Sequence, residues 1–153
     1  MPSLEKGSTA EVHANTSDYV YHMELDSYQP GNIIYTNLQS LKTTDGETAA
    51  IIAGHPFLEG YKDADGENAR FEHITGFIGV AAKILIAVDY SNHCLRRINH
   101  DTGLTTTFSG VCTLPGYRDG TQAKFYYPMS IVRDNQNRNQ LLVTDQYNNA
   151  IRS

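Results

Sequence analysis

Two cysteines, six histidines and a pair of recurring arginines are the residues of this chain whose types and spacing could do chemistry. Cys94 opens one apolar-rich segment and Cys112 follows the end of the next. In an antiparallel hairpin those positions share an edge, so a disulfide is expected; the alternative is two unpaired small apolar side chains. Arg96 and Arg152 each follow an apolar neighbour. A guanidinium there could hold an anion in a groove, but pairing with turn aspartates of adjacent units is the favoured reading. Asp89 with Asn92, and Asp145 with Asn148, read as tight turns in which Asx side chains bond local backbone. A calcium or substrate role would need further converging carboxylates. His13, His22, His55, His73, His93 and His100 show no HExxH or paired spacing, so a zinc site is weakly supported. No nucleophile elbow, Walker loop, CxxC or catalytic carboxylate pair stands out. The glycine-rich loops resemble phosphate cradles only in glycine content, because no strand-to-helix transition follows them.

The elements that must position these residues are repeated. Gly116-Tyr117-Arg118-Asp119-Gly120-Thr121-Gln122-Ala123-Lys124-Phe125 is a second copy of Gly60 to Phe71, which carries a two-residue insertion, Ala64-Asp65. Asp89 to Asp145, Asn92 to Asn148 and Gly54 to Gly110 are each 56 residues apart. A fixed period marks an array of one supersecondary unit that buries its apolar faces only by stacking on its neighbours.

One full unit reads as four short strands, at about 76–80, 84–88, 94–98 and 104–109, with links short enough for an antiparallel meander. Ile84 to Val88 is almost continuously apolar, as expected of an inner strand covered on both faces. Tyr19 to Leu25 alternates and reads as a strand. Ile33 to Leu41 and Thr48 to Ala53 are apolar-rich segments joined across Asp45-Gly46, a hairpin turn that Thr102-Gly103 repeats. The expected fold class is all-β: β-propeller blades, each a four-stranded antiparallel meander, in an incomplete propeller. The period exceeds the roughly 40–50 residues usual for such repeats, and the excess lies in the crossover between units. A polar segment at 1–18 precedes blades over 19–153, with a partial blade at 33–54, a full one at 71–110 and a partial one at 125–153. Propellers close with about 4–8 blades, so this chain is expected to need further blades of the same protein or an assembly of copies.

These residues resemble the NHL repeat over about 33–153. The first copy carries Ala53-Gly54, Asp65-Gly66, Ala69-Arg70-Phe71, Val88-Asp89, Asn92 and Leu95-Arg96. The second carries Ser109-Gly110, Asp119-Gly120, Ala123-Lys124-Phe125, Pro128, Asp145, Asn148 and Ile151-Arg152. Ile74 departs from the pattern, which favours proline there. The resemblance implies a non-catalytic scaffold that binds a macromolecular partner, foremost a protein, through its blade loops. Tyr61, Tyr117, Arg118, Tyr126 and Tyr127 are the loop residues expected to make contact. The alternative it implies is part of a propeller enzyme, a metal-dependent lyase or hydrolase completed by other blades. An amidating-lyase relative holds metal through channel histidines, and His55 and His73 are the positions that would serve here. Otherwise no metal or cofactor is called for. RNA binding, known for relatives fused to ring-finger modules, is disfavoured by charge.

Composition narrows these classes. Lys and Arg total 12 against 17 Asp and Glu, for a net charge of −5, and no basic patch for nucleic acid is visible. No apolar run approaches the roughly 18 residues of a membrane span. The two cysteines and the sequon Asn15-Thr16-Ser17 favour an extracellular compartment over the cytoplasm. Against that, the first nine residues lack the basic and apolar regions of a signal peptide.

Overall fold

The computed structural model describes residues 18–153; Asn15 and its sequon lie outside the described residues. The first sheet contains β1 (His22–Leu25), β2 (Ile33–Thr36), β3 (Ser40–Thr44) and β4 (Ala49–Gly54). The second contains β5 (Ile74–Ala81), β6 (Ile84–Asp89), β7 (Cys94–Asn99) and β8 (Thr105–Ser109). The third contains β9 (Pro128–Arg133), β10 (Leu141–Asp145) and β11 (Ala150–Arg152). Every pairing is antiparallel between consecutive strands. These are three propeller blades, and β5, the first strand of the middle blade, lies beside both β1 and β9.

The middle blade follows the expected boundaries within two residues. The first differs. The segment 33–54, expected as a partial blade, forms with β1 a four-stranded sheet. The apolar run Ile33 to Leu41 is also broken, because Leu38 turns the chain at φ 82°. Its carbonyl accepts the Ile74 N–H of the next blade at 2.7 Å. A contact with the neighbouring blade thus overrides local β propensity. Among the described residues no helix is long and apolar enough to cross a membrane.

β6 explains how the blades stack. Successive side chains of a strand point to opposite faces. Leu85 and Ala87 enter a core with Ile34, Leu41, Ile52 and Phe71, whereas Ile86 and Val88 enter another with Phe125, Ile131 and Val143. The continuous apolar run is therefore two interleaved faces, one for each neighbour. Phe71 and Phe125, the repeated aromatics, fill equivalent places in the two cores. Polar links cross the same junctions. His100 Nε2 lies 2.9 Å from Asp26 Oδ2 between the first two blades, and Arg133 donates to the Gly79 and Val80 carbonyls at 2.8 and 3.0 Å between the second and third.

Candidate functional site

The recurring Asp, Asn and Arg form one clasp, built twice. In the middle blade Arg96 donates to Asp89 at 2.8 Å, to Asp63 at 2.6 Å, and to the Arg70 and Lys62 carbonyls at 3.0 and 3.1 Å. Asn92 donates to Asp89 at 3.0 Å and to the Gly60 carbonyl at 2.8 Å. The other Asp89 oxygen accepts the Glu72 N–H at 3.1 Å. The third blade repeats this. Arg152 reaches Asp145 at 2.9 Å, Asp119 at 2.5 Å and the Arg118 carbonyl at 2.7 Å. Asn148 reaches Asp145 and the Gly116 carbonyl, each at 2.8 Å.

Each arginine therefore ties its own blade to the crossover that enters it. The expected pairing is found, but with an aspartate of the same blade and one of the crossover rather than with turns of adjacent units. Asp63, not the motif residue Asp65, is the crossover carboxylate. Tyr61 and Tyr117 lie over the guanidiniums of Arg96 and Arg152, each 4.9 Å from the ring centroid. These two residues, expected as partner contacts, complete the clasps with the outer side of each ring exposed. Arg118 is exposed.

Tyr126 and Tyr127 enter a different arrangement. Tyr127 packs on Tyr90 at 4.7 Å, Tyr147 at 4.9 Å and His93 at 4.4 Å, and Tyr126 packs on Tyr147 at 5.2 Å. The row continues from Tyr90 to His73 at 5.4 Å and from His73 to Tyr21 at 5.5 Å. It draws on all three blades, from residues just before β1, β5 and β9 and from the turns after β6 and β10. Sequence reasoning flagged Tyr126 and Tyr127 but missed Tyr21, Tyr90, His93 and Tyr147.

Comparing the copies exposes these residues. With the insertion counted, Glu72 and His73 correspond to Tyr126 and Tyr127, while Tyr90 and Ser91 correspond to Gln146 and Tyr147. The backbone bonds are the same in both: Glu72 N–H to Asp89 becomes Tyr126 N–H to Asp145 at 2.7 Å, and Tyr90 N–H to the His73 carbonyl becomes Gln146 N–H to the Tyr127 carbonyl at 3.2 Å. The scaffold thus accepts Glu and Ser where the third blade carries tyrosines. Tyr127 also takes φ 53°, in the left-handed region that an aromatic residue occupies only under tertiary constraint.

The row is electrically quiet. Burial pushes His73 and His93 below the usual imidazole value, against the opposing pull of Asp89 on both and of Asp145 on His93. Burial, then Tyr147 and Tyr127, push the Tyr90 phenol up. Glu72 at its border is raised by burial and by the carboxylates of Glu59 and Asp89.

The His93 shift predicts a pH dependence. A folded-state value held below the unfolded value of about 6.5 means that the unfolded chain takes up the proton first. Its contribution is complete above that pH and is lost as the solution is acidified towards the folded-state value. His93→Asn keeps an acceptor for the Tyr127 N–H, bonded to Nδ1 at 3.1 Å. Asn149 already occupies the equivalent position, at φ 50° against 58°. The variant is expected to lose less melting temperature than the parent between pH 7 and 5; parallel slopes in a differential scanning series would refute the assignment.

His55 and His73 are in different surroundings. His55 Nδ1 accepts the Phe57 N–H at 3.1 Å, whereas His73 lies between Tyr21 and Tyr90. Among the described residues no three His, Cys, Asp or Glu side chains are placed to hold a metal ion. Cys94 and Cys112 form the expected disulfide, with Cα atoms 5.1 Å apart. A cavity of about 690 Å³ beside β11 is lined by Phe108, Tyr117, Phe125, Leu141, Ile151 and Arg152. It belongs to the clasp side of the third blade rather than to the row.

No family model matches this chain, and no curated protein does. Solved structures do. It superposes with a TM-score of 0.69 on an auxiliary nutrient binding protein from Bacteroides thetaiotaomicron VPI-5482, at 24% identity over 79% of this chain and 34% of that one. A similarly named protein from Bacteroides ovatus ATCC 8483 gives 0.67, at 21% identity over 79% and 34%. A provisionally named phosphatase from Bacteroides thetaiotaomicron VPI-5482 gives 0.69, at 19% identity over 79% and 31%. The chain spans about a third of the length of these structures, and likeness at this level of identity establishes the shared fold.

Proposed function

We propose that this chain is a non-catalytic binding module of NHL-repeat type, which offers the loop face carrying the aromatic row to a macromolecular partner outside the cell. The observation that carries the reading is the row itself. Rings from three blades meet at positions where the other copy of the repeat has Glu72 and Ser91, so scaffold requirements do not account for Tyr126 and Tyr147. Loops on a rigid sheet framework are the ordinary place for recognition, and aromatic residues dominate the energetics of such contacts. Exposed Arg118 and the outer sides of Tyr61 and Tyr117 are offered as further contacts on the clasp side, apart from the row. The nutrient-binding names of two fold neighbours agree with a binding role. The disulfide suits an oxidising compartment.

The test uses the labelled chain on printed arrays of defined polysaccharides and synthetic peptides. Tyr126→Glu/Tyr147→Ser gives the third blade the side chains of the middle one, so its thermal melt should stay in place. Spots bound by the parent should lose signal about tenfold with the variant, since two ring contacts are removed. An array without a bound spot, or one on which parent and variant bind alike, would overturn the reading.

A further inference from the structure

We infer that the aromatic row takes a neutral glycan, with pyranose faces stacked on Tyr126 and Tyr147 and sugar hydroxyls bonded by the phenols of the row; this rests on the binding-module reading.

The first argument concerns unused hydrogen-bonding capacity. Among the described residues the hydroxyls of Tyr90, Tyr126, Tyr127 and Tyr147 bond no protein group. By contrast Tyr28 and Tyr61 satisfy theirs, on the Ala81 carbonyl at 2.7 Å and on Thr107 at 2.9 Å. These four rings are exposed or half-buried, so their hydroxyls are open to an approaching ligand. Four free phenols beside one another therefore suit a ligand that is itself rich in hydroxyls. A pyranose fits both halves of this chemistry, because it presents C–H bonds on one face and hydroxyls around its rim. The electron-rich ring face of a tyrosine attracts the former, and its O–H pairs with the latter.

The second argument concerns charge. An anionic ligand would meet a chain of net charge −5 and no Lys or Arg within the row. A cationic ligand finds rings but no free counter-charge within the row itself. Asp89 and Asp145 are already bonded by arginine, asparagine and backbone N–H, and Glu72 stands at the border of the row rather than among its rings. Where this chain does set a guanidinium on rings, two aspartates accompany it. The depressed imidazoles of His73 and His93 keep the row uncharged as well. A neutral ligand is what remains.

The third argument concerns spacing. A proline-rich peptide docks aromatic-lined grooves as a left-handed helix with a turn of roughly 9 Å, three residues at 3.1 Å rise. The rings here follow one another at 4.4 to 5.7 Å between centroids. With interplanar angles of 27° to 78° these are stacked, tilted and edge-on contacts, so the rings fill the gaps between one another and leave no slots. A proline turn needs such slots, whereas a sugar needs only an exposed ring to rest on, and Tyr126 and Tyr147 are exposed.

The experiment is native affinity electrophoresis of the full chain in gels cast with mixed-linkage β-glucan, arabinoxylan or galactomannan, with polygalacturonate as the anionic control. The chain should be retarded in at least one neutral-glycan gel and not by polygalacturonate. Tyr126→Glu/Tyr147→Ser should weaken the retardation about tenfold or more at an unchanged melting temperature. Tyr126→Phe/Tyr147→Phe, which keeps the rings, should fall between the two. Free migration in all three neutral gels, retardation by polygalacturonate alone, or retardation that the Glu/Ser variant keeps would each overturn the inference. Row-dependent binding confined to proline-rich peptides on the arrays would also overturn it, while leaving the binding-module reading intact.

Discussion

Arg96→Ala is expected to destabilise the protein by about 3–5 kcal/mol, the cost of stripping the partner from a buried ion, which is a large part of the total stability of an ordinary domain. The guanidinium and the Asp89 carboxylate are both fully buried. Truncation leaves Asp89 with its bonds from Asn92 and Glu72 but without a counter-ion. It also removes the side-chain bond to the Arg70 and Lys62 carbonyls, which keep only their backbone bonds to each other's N–H, and empties the space between the Tyr61 and Phe71 rings. Arg96→Lys should recover only part of this. One ammonium cannot span Asp89 and Asp63 as the planar fork does. Arg152→Ala is the control within the same molecule. Its clasp has the same bonds, but the Arg152 side chain is 10% exposed and that of Asp119 83% exposed, so water replaces much of what is lost. Urea unfolding, followed by tyrosine fluorescence and circular dichroism, measures both. A change under about 1 kcal/mol for Arg96→Ala would show that the clasp does not hold the blade to its crossover, and equal losses for the two arginines would show that burial does not set the strength of the clasp.

The clasp was legible in the sequence because its parts recur. Asp89, Asn92 and Arg96 reappear as Asp145, Asn148 and Arg152 at one spacing, and a residue repeated with the scaffold is expected to serve it. What spacing could not say was which crossover carboxylate reaches the guanidinium. Asp65-Gly66 carries the motif, but the two-residue insertion leaves Asp63 opposite Arg96, while Asp65 only precedes a short turn at Gly66–Asn68, with no side-chain bond to it. The middle blade was legible for a related reason. Two of its three turns, Asp89 to His93 and Asn99 to Gly103, carry Asx or glycine residues, so local chemistry and global fold agree there. The turn at Leu38 was not, since it is imposed by Ile74 of the next blade within an apolar run. The aromatic row lies between these cases. Its rings come from five separate segments, and periodicity cannot report that they meet. The useful signal lay where the copies differ: Glu72 against Tyr126 and Ser91 against Tyr147. In a repeat protein the shared positions report the scaffold, and the unshared ones are where a partner can be read.

Reduction of the Cys94–Cys112 disulfide is expected to lower the melting temperature by roughly 6–12 °C, from about 3 kcal/mol for a loop of this size spread over a chain of this length. The bridge joins residues 18 apart. Cys94 is fully buried at the start of β7, and Cys112 sits on the crossover into the third blade. That crossover is also held by the Thr113 N–H on the Asn92 carbonyl at 2.7 Å and by the Val111 N–H on the Ala123 carbonyl at 3.0 Å. Downstream it supplies the Gly116 carbonyl that Asn148 bonds and the Asp119 carboxylate that Arg152 bonds. Releasing the bridge therefore loosens the support of the next clasp as well as one loop. Cys94→Ala/Cys112→Ala is the matching variant, because Ala150 stands where Cys94 does in the following copy. It should melt near the reduced parent and ignore dithiothreitol, while the oxidised parent resists alkylation at both sulfurs by mass spectrometry. Two labelled thiols in oxidised protein, or a parent melt that dithiothreitol leaves unmoved, would mean that the third blade is held without the bridge, by the clasp and the crossover bonds alone.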